Sequence, residues 1–472
     1  MRPRRGAFAG LIAATLCFGA GPVRSEAPFE ALYREAYNRR LQEFGPKHPD
    51  TVESLVRLGA LLAAHGRAEG AEPVLRQALK VQDATGPAGS ATLLELADAL
   101  SAIGRNSEAM ELYGRSLKLA PSGPEGAMTL LKIARLREMG GDDDGARQAY
   151  VEALERFETV TQLSVDELRA RATAMNGLGL LLEAEGDLPA AEEAYRNSAS
   201  AHVLAFGVGH PATAAARANL ANAVALRGEA ANAAALLEQS LAVMRVAVGP
   251  RHEDAARLLN RLGEICETLG RFDEAQEHYL DALAAWRDPS PSRGLVLADL
   301  GRLSGVRGDP AAAQQSLAEA VRLLEAAGDA FAIDLAEALY SYGSALRALG
   351  RLDDSESILS RALSIRERSL GGSHPDVALT LVGLGGVLHL QGELARAGPL
   401  YRRALEIQER TLGLEHAEVG ETLYNLAHLQ RAIGDSDGAR ESFQRSARIL
   451  SVAYGPDDPF VGEIRAVLRS LR

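Results

Sequence analysis

A glycine recurs along this 472-residue chain at a nearly constant interval, and this period restricts the fold more than any other feature. Successive gaps are 38, 37, 45, 42, 42, 38, 42, 42 and 42 residues. The glycines are Gly66, Gly104, Gly141, Gly186, Gly228, Gly270, Gly308, Gly350, Gly392 and Gly434. Periods of this length indicate a solenoid of stacked repeats, a class that binds partners along its surfaces.

The residues around each glycine explain the period. Seven residues before it the chain has Gly or Ala, five after it Ala in nine of ten repeats, and twelve after it Ala or Ser. Nine residues after it stands a large Leu, Tyr or Phe. Small residues where two helices cross, with one bulky residue filling the adjacent hole, predict a tightly packed helical hairpin.

The ninth repeat shows the helical pattern in full. Apolar residues spaced by 4, 3 and 4 mark one face of its first helix, and these are Val377, Leu381, Leu384 and Leu388. Gly392 is expected to end that helix at positive φ. Prolines open several first helices, where a missing N–H costs nothing; they are Pro49, Pro211, Pro375 and Pro459. Pro73 and Pro399 fall near the start of second helices and predict a bend rather than a break.

This spacing resembles the tetratricopeptide repeat. The 42-residue form, as in LGGSHPDVALTLVGLGGVLHLQGELARAGPLYRRALEIQERTLG, is similar to the kinesin-light-chain subclass. The resemblance covers residues 28–472 and implies an all-α, right-handed solenoid of about ten hairpins with half-repeat caps. The predicted organisation is a signal peptide at 1–25, a capping helix at 26–45, ten repeats at 46–455 and a capping helix at 456–472. The turn-rich stretch 288–293 is the best candidate for an internal hinge.

The N-terminus indicates export. Residues 1–5 are basic, 6–21 form an uncharged small-apolar run, and 23–25 contain small residues around a cleavage point, which together predict a signal peptide. The run is shorter than the ~20 apolar residues that span a bilayer comfortably, so stable membrane insertion is not expected after processing. A periplasmic and a fully secreted fate both remain open, and an uncleaved anchor is the minor alternative.

The composition argues against one class of partner. The net charge of −12 argues against nucleic acid, since phosphate binding needs a basic stripe. After loss of residues 1–25, which contain Cys17, Cys266 is the only cysteine, so no internal disulfide forms; it is expected to be a packed residue.

Motifs that suggest chemistry have simpler explanations. Residues 434–438, Gly-Asp-Ser-Asp-Gly, match a nucleophile elbow, but helices rather than a strand and a helix are expected to flank them. Residues 142–145, Asp-Asp-Asp-Gly, lack the ligand spacing of a calcium loop and suit a helix start. Five histidines at helix starts are expected to act in turns or caps: His48, His210, His252, His374 and His416. No catalytic residue, metal site or cofactor is predicted.

The inner groove is the remaining candidate site. Residues 13, 10, 6 and 3 positions before each turn glycine are expected to form one exposed stripe on the first helix. The resembled subclass has an Asn-Asn-Leu-Ala motif in the first helix, and the resemblance implies a peptide-clamping role for it. The first asparagine of this motif is matched by Asn176 and Asn260, and the second by Asn219 and Asn425. The candidate partner-binding residues are Asn176, Asn219, Arg257, Asn260, Arg302, Tyr340, Arg347, His389, Tyr424, Asn425, His428 and Arg431.

Two functions follow as alternatives. The first is an exported, non-catalytic scaffold that binds a peptide or protein segment in the groove. The second is a structural or self-associating component of an envelope complex. A generic solvated face is the alternative reading of the stripe itself.

Overall fold

The computed structural model describes residues 27–85, 89–286 and 289–471, which form 22 α-helices, one short 3-10 helix and no strand. The predicted signal peptide lies outside these ranges. The chain divides into two compact units, and the boundary lies between Val248 and Gly249. Each unit is described by itself below.

The first unit contains eleven helices. They are α1 (Ala27–Phe44), α2 (Pro49–Ala64), α3 (Ala68–Thr85), α4 (Ser90–Ala102), α5 (Asn106–Leu119), α6 (Gly123–Met139), α7 (Asp143–Glu158), α8 (Val165–Glu185), α9 (Leu188–Phe206), α10 (Pro211–Leu226) and α11 (Ala230–Ala247).

The second unit contains the other eleven helices and the 3-10 turn Asp329–Phe331. They are α12 (Glu253–Thr268), α13 (Phe272–Ala285), α14 (Pro291–Val306), α15 (Pro310–Ala326), α16 (Ala332–Ala348), α17 (Leu352–Leu370), α18 (Pro375–Leu390), α19 (Leu394–Leu412), α20 (Ala417–Ala432), α21 (Ser436–Tyr454) and α22 (Pro459–Ser470).

The helices pack as successive antiparallel hairpins. Each even-numbered helix from α2 to α20 packs on the odd-numbered helix that follows it, giving repeats 1–5 in the first unit and 6–10 in the second. Within each unit the second helix of a repeat also packs on the first helix of the next one, and α1 and α22 pack on the terminal hairpins. The predicted all-α solenoid of helical hairpins is confirmed.

The contact between small and large residues explains why the hairpins close so tightly. A Cβ placed on Gly263 would lie 2.4 Å from the Tyr279 ring, and one on Gly59 would lie 2.4 Å from the Leu75 side chain. The other glycines seven residues before a turn meet the same kind of large residue in their own repeat: Gly179, Gly301, Gly343 and Gly385. This packing was predicted from the two columns and is confirmed.

The turns follow the predicted local chemistry as well. All ten periodic glycines have positive φ, between 71° and 90°, which an L side chain rarely adopts. At each of the five histidines, Nδ1 accepts the N–H two residues on, at 3.1–3.2 Å, and so caps the first helix. The capping prediction for these histidines is therefore confirmed. The helices α3 and α19 continue through Pro73 and Pro399.

The stretch 289–293 is held by the arginine at its end. Arg293 Nη1 donates to the carbonyl oxygens of Leu283 and Trp286, at 3.2 and 3.0 Å, and the indole of Trp286 is buried. Ser290 caps α14 through its hydroxyl. Asp288 lies outside the described residues. The division between the two units falls at 248/249 and not in this stretch.

Gly263→Ala tests the helix-crossing contact. The added methyl would meet the Tyr279 ring, which is itself fully buried, so we expect a loss of about 1–3 kcal/mol in the free energy of unfolding. Urea denaturation followed by circular dichroism measures it. The matched control is Gly462→Ala in α22, where nothing lies within 4 Å and a gain of ~0.5–1 kcal/mol is expected from helix propensity. Equal stability of both variants would contradict the packing argument.

Candidate partner-binding surface

The predicted stripe positions of neighbouring repeats lie side by side. In repeats 4 and 5, Asn222 donates to Glu183 Oε1 at 2.8 Å. In repeats 6 and 7, Arg302 donates to both oxygens of Glu267 at 2.7 Å. In both cases the donor lies six residues before the turn glycine of its repeat. The acceptor lies three residues before the turn glycine of the previous repeat. Within each unit the stripes therefore form one surface, here called the first-helix surface.

Two of the predicted asparagines bind each other. Asn219 Nδ2 donates to Asn176 Oδ1 at 2.6 Å, between α10 and α8, and Asn219 is buried. The amide groups proposed from the family motif to hold a peptide backbone are thus used, at least in part, to join repeats 4 and 5.

The basic and amide residues of repeats 6 and 7 are also engaged. Arg257 pairs with Asp254 at 2.5 Å, and Asn260 donates to Glu264 at 3.0 Å and to Asp299 at 3.3 Å. Arg302 sits between Glu267 and Asp299, whose side chains are only 7% and 3% exposed. Charges this deeply buried need such partners. Arg257, Asn260 and Arg302 therefore stabilise the repeats.

Glu267 also belongs to a contact that recurs three residues before the turn glycine. Its Oε1 accepts the Tyr279 hydroxyl at 2.6 Å, as Glu138 accepts that of Tyr150 at 2.8 Å. Glu183 takes the same role toward Tyr195 in repeat 4. Burial raises the pKa of the Tyr279 hydroxyl, so the group stays protonated and donates.

Repeats 8–10 carry bases at this position instead of acids. Arg347, His389 and Arg431 lie three residues before the turn glycines of α16, α18 and α20, three first helices that lie side by side. We call these three residues the basic row. Among residues 27–85, 89–286 and 289–471, Arg347 has neither an ion-pair nor a hydrogen-bond partner, and its side chain is exposed. Arg347 is therefore available to a ligand in a way that Arg302 is not.

His389 in the row and His428 beside it are uncharged at neutral pH. Burial lowers the pKa of His389. Burial, and then the Arg431 guanidinium, lower the pKa of His428, whose Nδ1 lies 3.3 Å from Arg431 Nη2. The charge of this surface thus comes from the two arginines.

The two predicted tyrosines are held by packing. Tyr340 lies under the Arg366 guanidinium, 5.3 Å from the ring centroid. Tyr424 packs on two residues of α22. Its ring lies edge-on to the Phe460 ring, with 4.8 Å between the ring centroids, and its hydroxyl donates to Glu463 at 2.9 Å. Asn425 is half-buried on α20. Of the twelve predicted residues, the basic row is the part that the structure leaves most open.

Two glycines of α18 were not predicted from the sequence to be part of the site. α18 has Gly386 six residues before its turn glycine, where no other repeat has glycine, and Gly383 lies one turn earlier. A Cβ on Gly386 would lie 3.2 Å from Arg347 Nη1 and 3.8 Å from the Tyr401 hydroxyl. The Arg347 guanidinium therefore lies next to this glycine, and the unusual position of the glycine in the repeat was the available signal in the sequence.

In the described parts of the chain, no group of three or more His, Cys, Asp or Glu residues is placed to hold a metal ion. No helix in these ranges combines the length and apolarity needed to cross a bilayer. Asp142 and Asp435 each cap a helix by accepting the N–H three residues on. Gly434 and Asp435 lie in the turn between α20 and α21, and residues 436–438 begin α21. Cys266 is buried.

Two sequence models, both described as tetratricopeptide repeat, match the chain. One matches residues 30–84, 170–245, 215–288, 254–326, 334–397 and 376–451, and the other matches 94–159 and 131–202. Together they cover well over half of the chain. No curated protein matches it.

Among solved structures, BtubC (BKLC) from P. vanneervenii is 21% identical with a TM-score of 0.41, over 48% of this chain and 90% of that one. A Podosopora anserina protein with nearly identical TPR-like repeats of the kinesin-light-chain type is 19% identical with a TM-score of 0.37, over 43% of this chain and 97% of that one.

Arg302→Leu tests the assignment of Arg302 to the framework. The change leaves Glu267 and Asp299 buried without their cation, so we expect a loss of about 3–5 kcal/mol in stability. Thermal and urea unfolding measure it. Arg361→Leu is the control, because its pair with Glu325 is exposed and is worth less than ~1 kcal/mol. A stability equal to that of the parent would return Arg302 to the list of binding residues.

Proposed function

The chain belongs to the tetratricopeptide-repeat family, and from that premise we propose that it is an exported, non-catalytic scaffold that holds a peptide or protein segment against repeats 8–10. Tetratricopeptide repeats are protein-interaction modules, and their stacked helices offer an extended surface for a partner. The segment is proposed to lie across α16, α18 and α20, along the basic row.

The observation that carries this proposal is the contrast between Arg302 and Arg347. Both are basic residues of the first-helix surface in a chain of net charge −12. Arg302 is used up by Glu267 and Asp299, whereas no described residue pairs with Arg347. An exposed guanidinium with five donors and no internal acceptor is suited to a ligand that supplies carbonyl or carboxylate oxygens.

Export is proposed from the N-terminal sequence alone. A basic start, a short apolar run and small residues near position 25 are the features of a cleaved signal peptide. The scaffold is therefore proposed to act in the periplasm or outside the cell.

The first experiment replaces the two arginines of the basic row. Partners are captured from envelope extract with residues 26–472, purified individually, and titrated by calorimetry against the parent chain and Arg347→Gln/Arg431→Gln. We expect the dissociation constant to rise at least about tenfold, because each arginine donates charge-assisted hydrogen bonds worth ~1.5–3 kcal/mol when made to a charged group. Circular dichroism checks that the fold is unchanged.

The matched control removes the same charge elsewhere. Arg368→Gln/Arg410→Gln alters two exposed arginines in the last turns of α17 and α19 and should change the dissociation constant less than about twofold. If both double variants weakened binding equally, the effect would come from the net charge of the chain and not from the basic row. Capture of only the chain itself, with concentration-dependent association in sedimentation, would favour the self-assembling alternative.

Export has its own test. The full chain is expressed in a host with a periplasm, and the protein is recovered from each cell fraction. We expect the periplasmic form to begin near residue 26, as measured by intact mass and N-terminal sequencing. A form that retains Met1 and stays with the membrane would indicate an uncleaved anchor, and a full-length cytoplasmic form would overturn export.

A further inference from the structure

The last helix, α22, is held on repeat 10 by an apolar cluster and by one side chain of α20. Val461 and Ile464 of α22 are fully buried in a cluster with apolar residues of α20 and α21. Tyr424 of α20 adds two contacts to the same helix, since its ring lies edge-on to Phe460 and its hydroxyl donates to Glu463 at 2.9 Å. The helix α22 therefore covers an apolar surface at the C-terminal end of the second unit.

His428 lies one helical turn after Tyr424 and fits this site in its uncharged form. Its ring is edge-on to the rings of Tyr424 and Phe443, with 4.4 and 5.0 Å between the ring centroids. Its Nδ1 lies 3.3 Å from Arg431 Nη2, and because a guanidinium donates and cannot accept, Nδ1 is the acceptor and Nε2 carries the proton. Nε2 is buried and has no hydrogen-bond partner among the described residues.

Protonation of His428 would remove the acceptor from this contact. An imidazolium has an N–H on both ring nitrogens, so the Nδ1–H would face the N–H of Arg431 Nη2, with 3.3 Å between two cationic nitrogen atoms. Nε2 would remain buried without an acceptor, and a buried charge without a partner is costly. The nearby Glu463 already accepts the Tyr424 hydroxyl, so an imidazolium that bound it would compete with a contact that holds α22.

The charged groups around His428 act mostly in the same direction. Burial has the largest effect, followed by the Arg431 guanidinium on α20 and by His389 on α18, and all three lower the pKa of the His428 imidazole. Glu463 on α22 opposes them without outweighing them, and α21 faces the ring with the uncharged Phe443. The closed form therefore binds the proton more weakly than a solvent-exposed histidine, whose pKa is about 6.5.

We propose that protonation of His428 releases α22 from repeat 10, so that the C-terminal cap of the second unit opens in mildly acidic solution. The stability that the uncharged ring provides is present above pH ~6.5 and is lost as the pH falls through the lower pKa of the closed form. Opening gives both ring nitrogens access to water and exposes the apolar cluster that Val461 and Ile464 cover. This inference is independent of the proposed function, because it concerns α20, α21 and α22 without a bound segment.

Amide hydrogen exchange of α22 tests the opening directly. The full chain is labelled in heavy water at pH 7.5 and at pH 5.5, peptides from residues 455–471 are analysed by mass spectrometry, and each exchange rate is corrected for the intrinsic rate at that pH. We expect the protection factor of α22 to fall at least about threefold at pH 5.5. The helices α16 and α17, which contain no histidine, should change less than about twofold. An unchanged or higher protection factor for α22 at pH 5.5 would overturn the proposal.

Two variants assign the effect to the His428 ring. His428→Asn keeps a side-chain acceptor for Arg431 but cannot be protonated, so the protection factor of α22 should agree at the two pH values within about 1.5-fold. The matched control is His389→Gln, which removes the neighbouring histidine and leaves the Arg431 contact in place; it should retain a fall of at least about twofold. The same fall in His428→Asn as in the parent would overturn the proposal, because every other titrating group is still present in that variant.

A further variant decides the question if His428→Asn itself releases α22 at pH 7.5. Arg431→Gln leaves His428 in place and offers an amide oxygen that accepts from a protonated ring, so the fall in protection at pH 5.5 should shrink to less than about twofold. It should also raise the pKa of His428, measured by nuclear magnetic resonance of the Cε1–H that is absent in His428→Asn. An undiminished fall in Arg431→Gln, or a parent His428 that titrates at or above pH ~6.5, would overturn the proposal.

Discussion

Everything in this structure depends on how closely the two helices of each hairpin approach. That distance is set by a residue without a side chain on the first helix and a large residue on the second, as in Gly263 and Tyr279. Because the large side chain occupies the space of the missing one, the pair fixes the crossing point as well as the separation. The same contact then returns in successive repeats. Neighbouring first helices also share one register, in which the residue six before a turn glycine lies beside the residue three before the turn glycine of the previous repeat.

That register decides what a polar residue on the first-helix surface does. Arg302 lies six residues before the turn glycine of repeat 7 and meets Glu267, which lies three residues before the turn glycine of repeat 6. A pair at these two positions joins two repeats. Where the earlier residue is Arg347 and the later one is Gly386, no such pair forms. The same geometry thus gives a structural ion pair at one junction and an open basic group at another. The difference lies in one position per repeat.

The sequence predicted the architecture almost completely, since helix ends, small residues and large residues repeat at fixed spacing. It also predicted that the recurring histidines cap helices, which each Nδ1 does. It did not distinguish Arg302 from Arg347, because both are basic residues of the same stripe. The missing information was the lateral offset between neighbouring first helices, which depends on packing and is not written in the period. With the offset known, Glu267 is the evident partner of Arg302, and Gly386 explains why Arg347 has none.

The hydrogen bonds described above that join repeats connect adjacent repeats. The Asn219–Asn176 bond spans 43 residues and the Arg302–Glu267 pair spans 35. In such an array the terminal repeats open more readily than the central ones, because a terminal repeat packs on one neighbouring repeat and a central repeat packs on two. Repeats 8–10 stand close to the C-terminal end of the second unit, with α22 as the last helix. A partner laid across α16, α18 and α20 would link three hairpins at once and slow amide hydrogen exchange throughout that end of the unit.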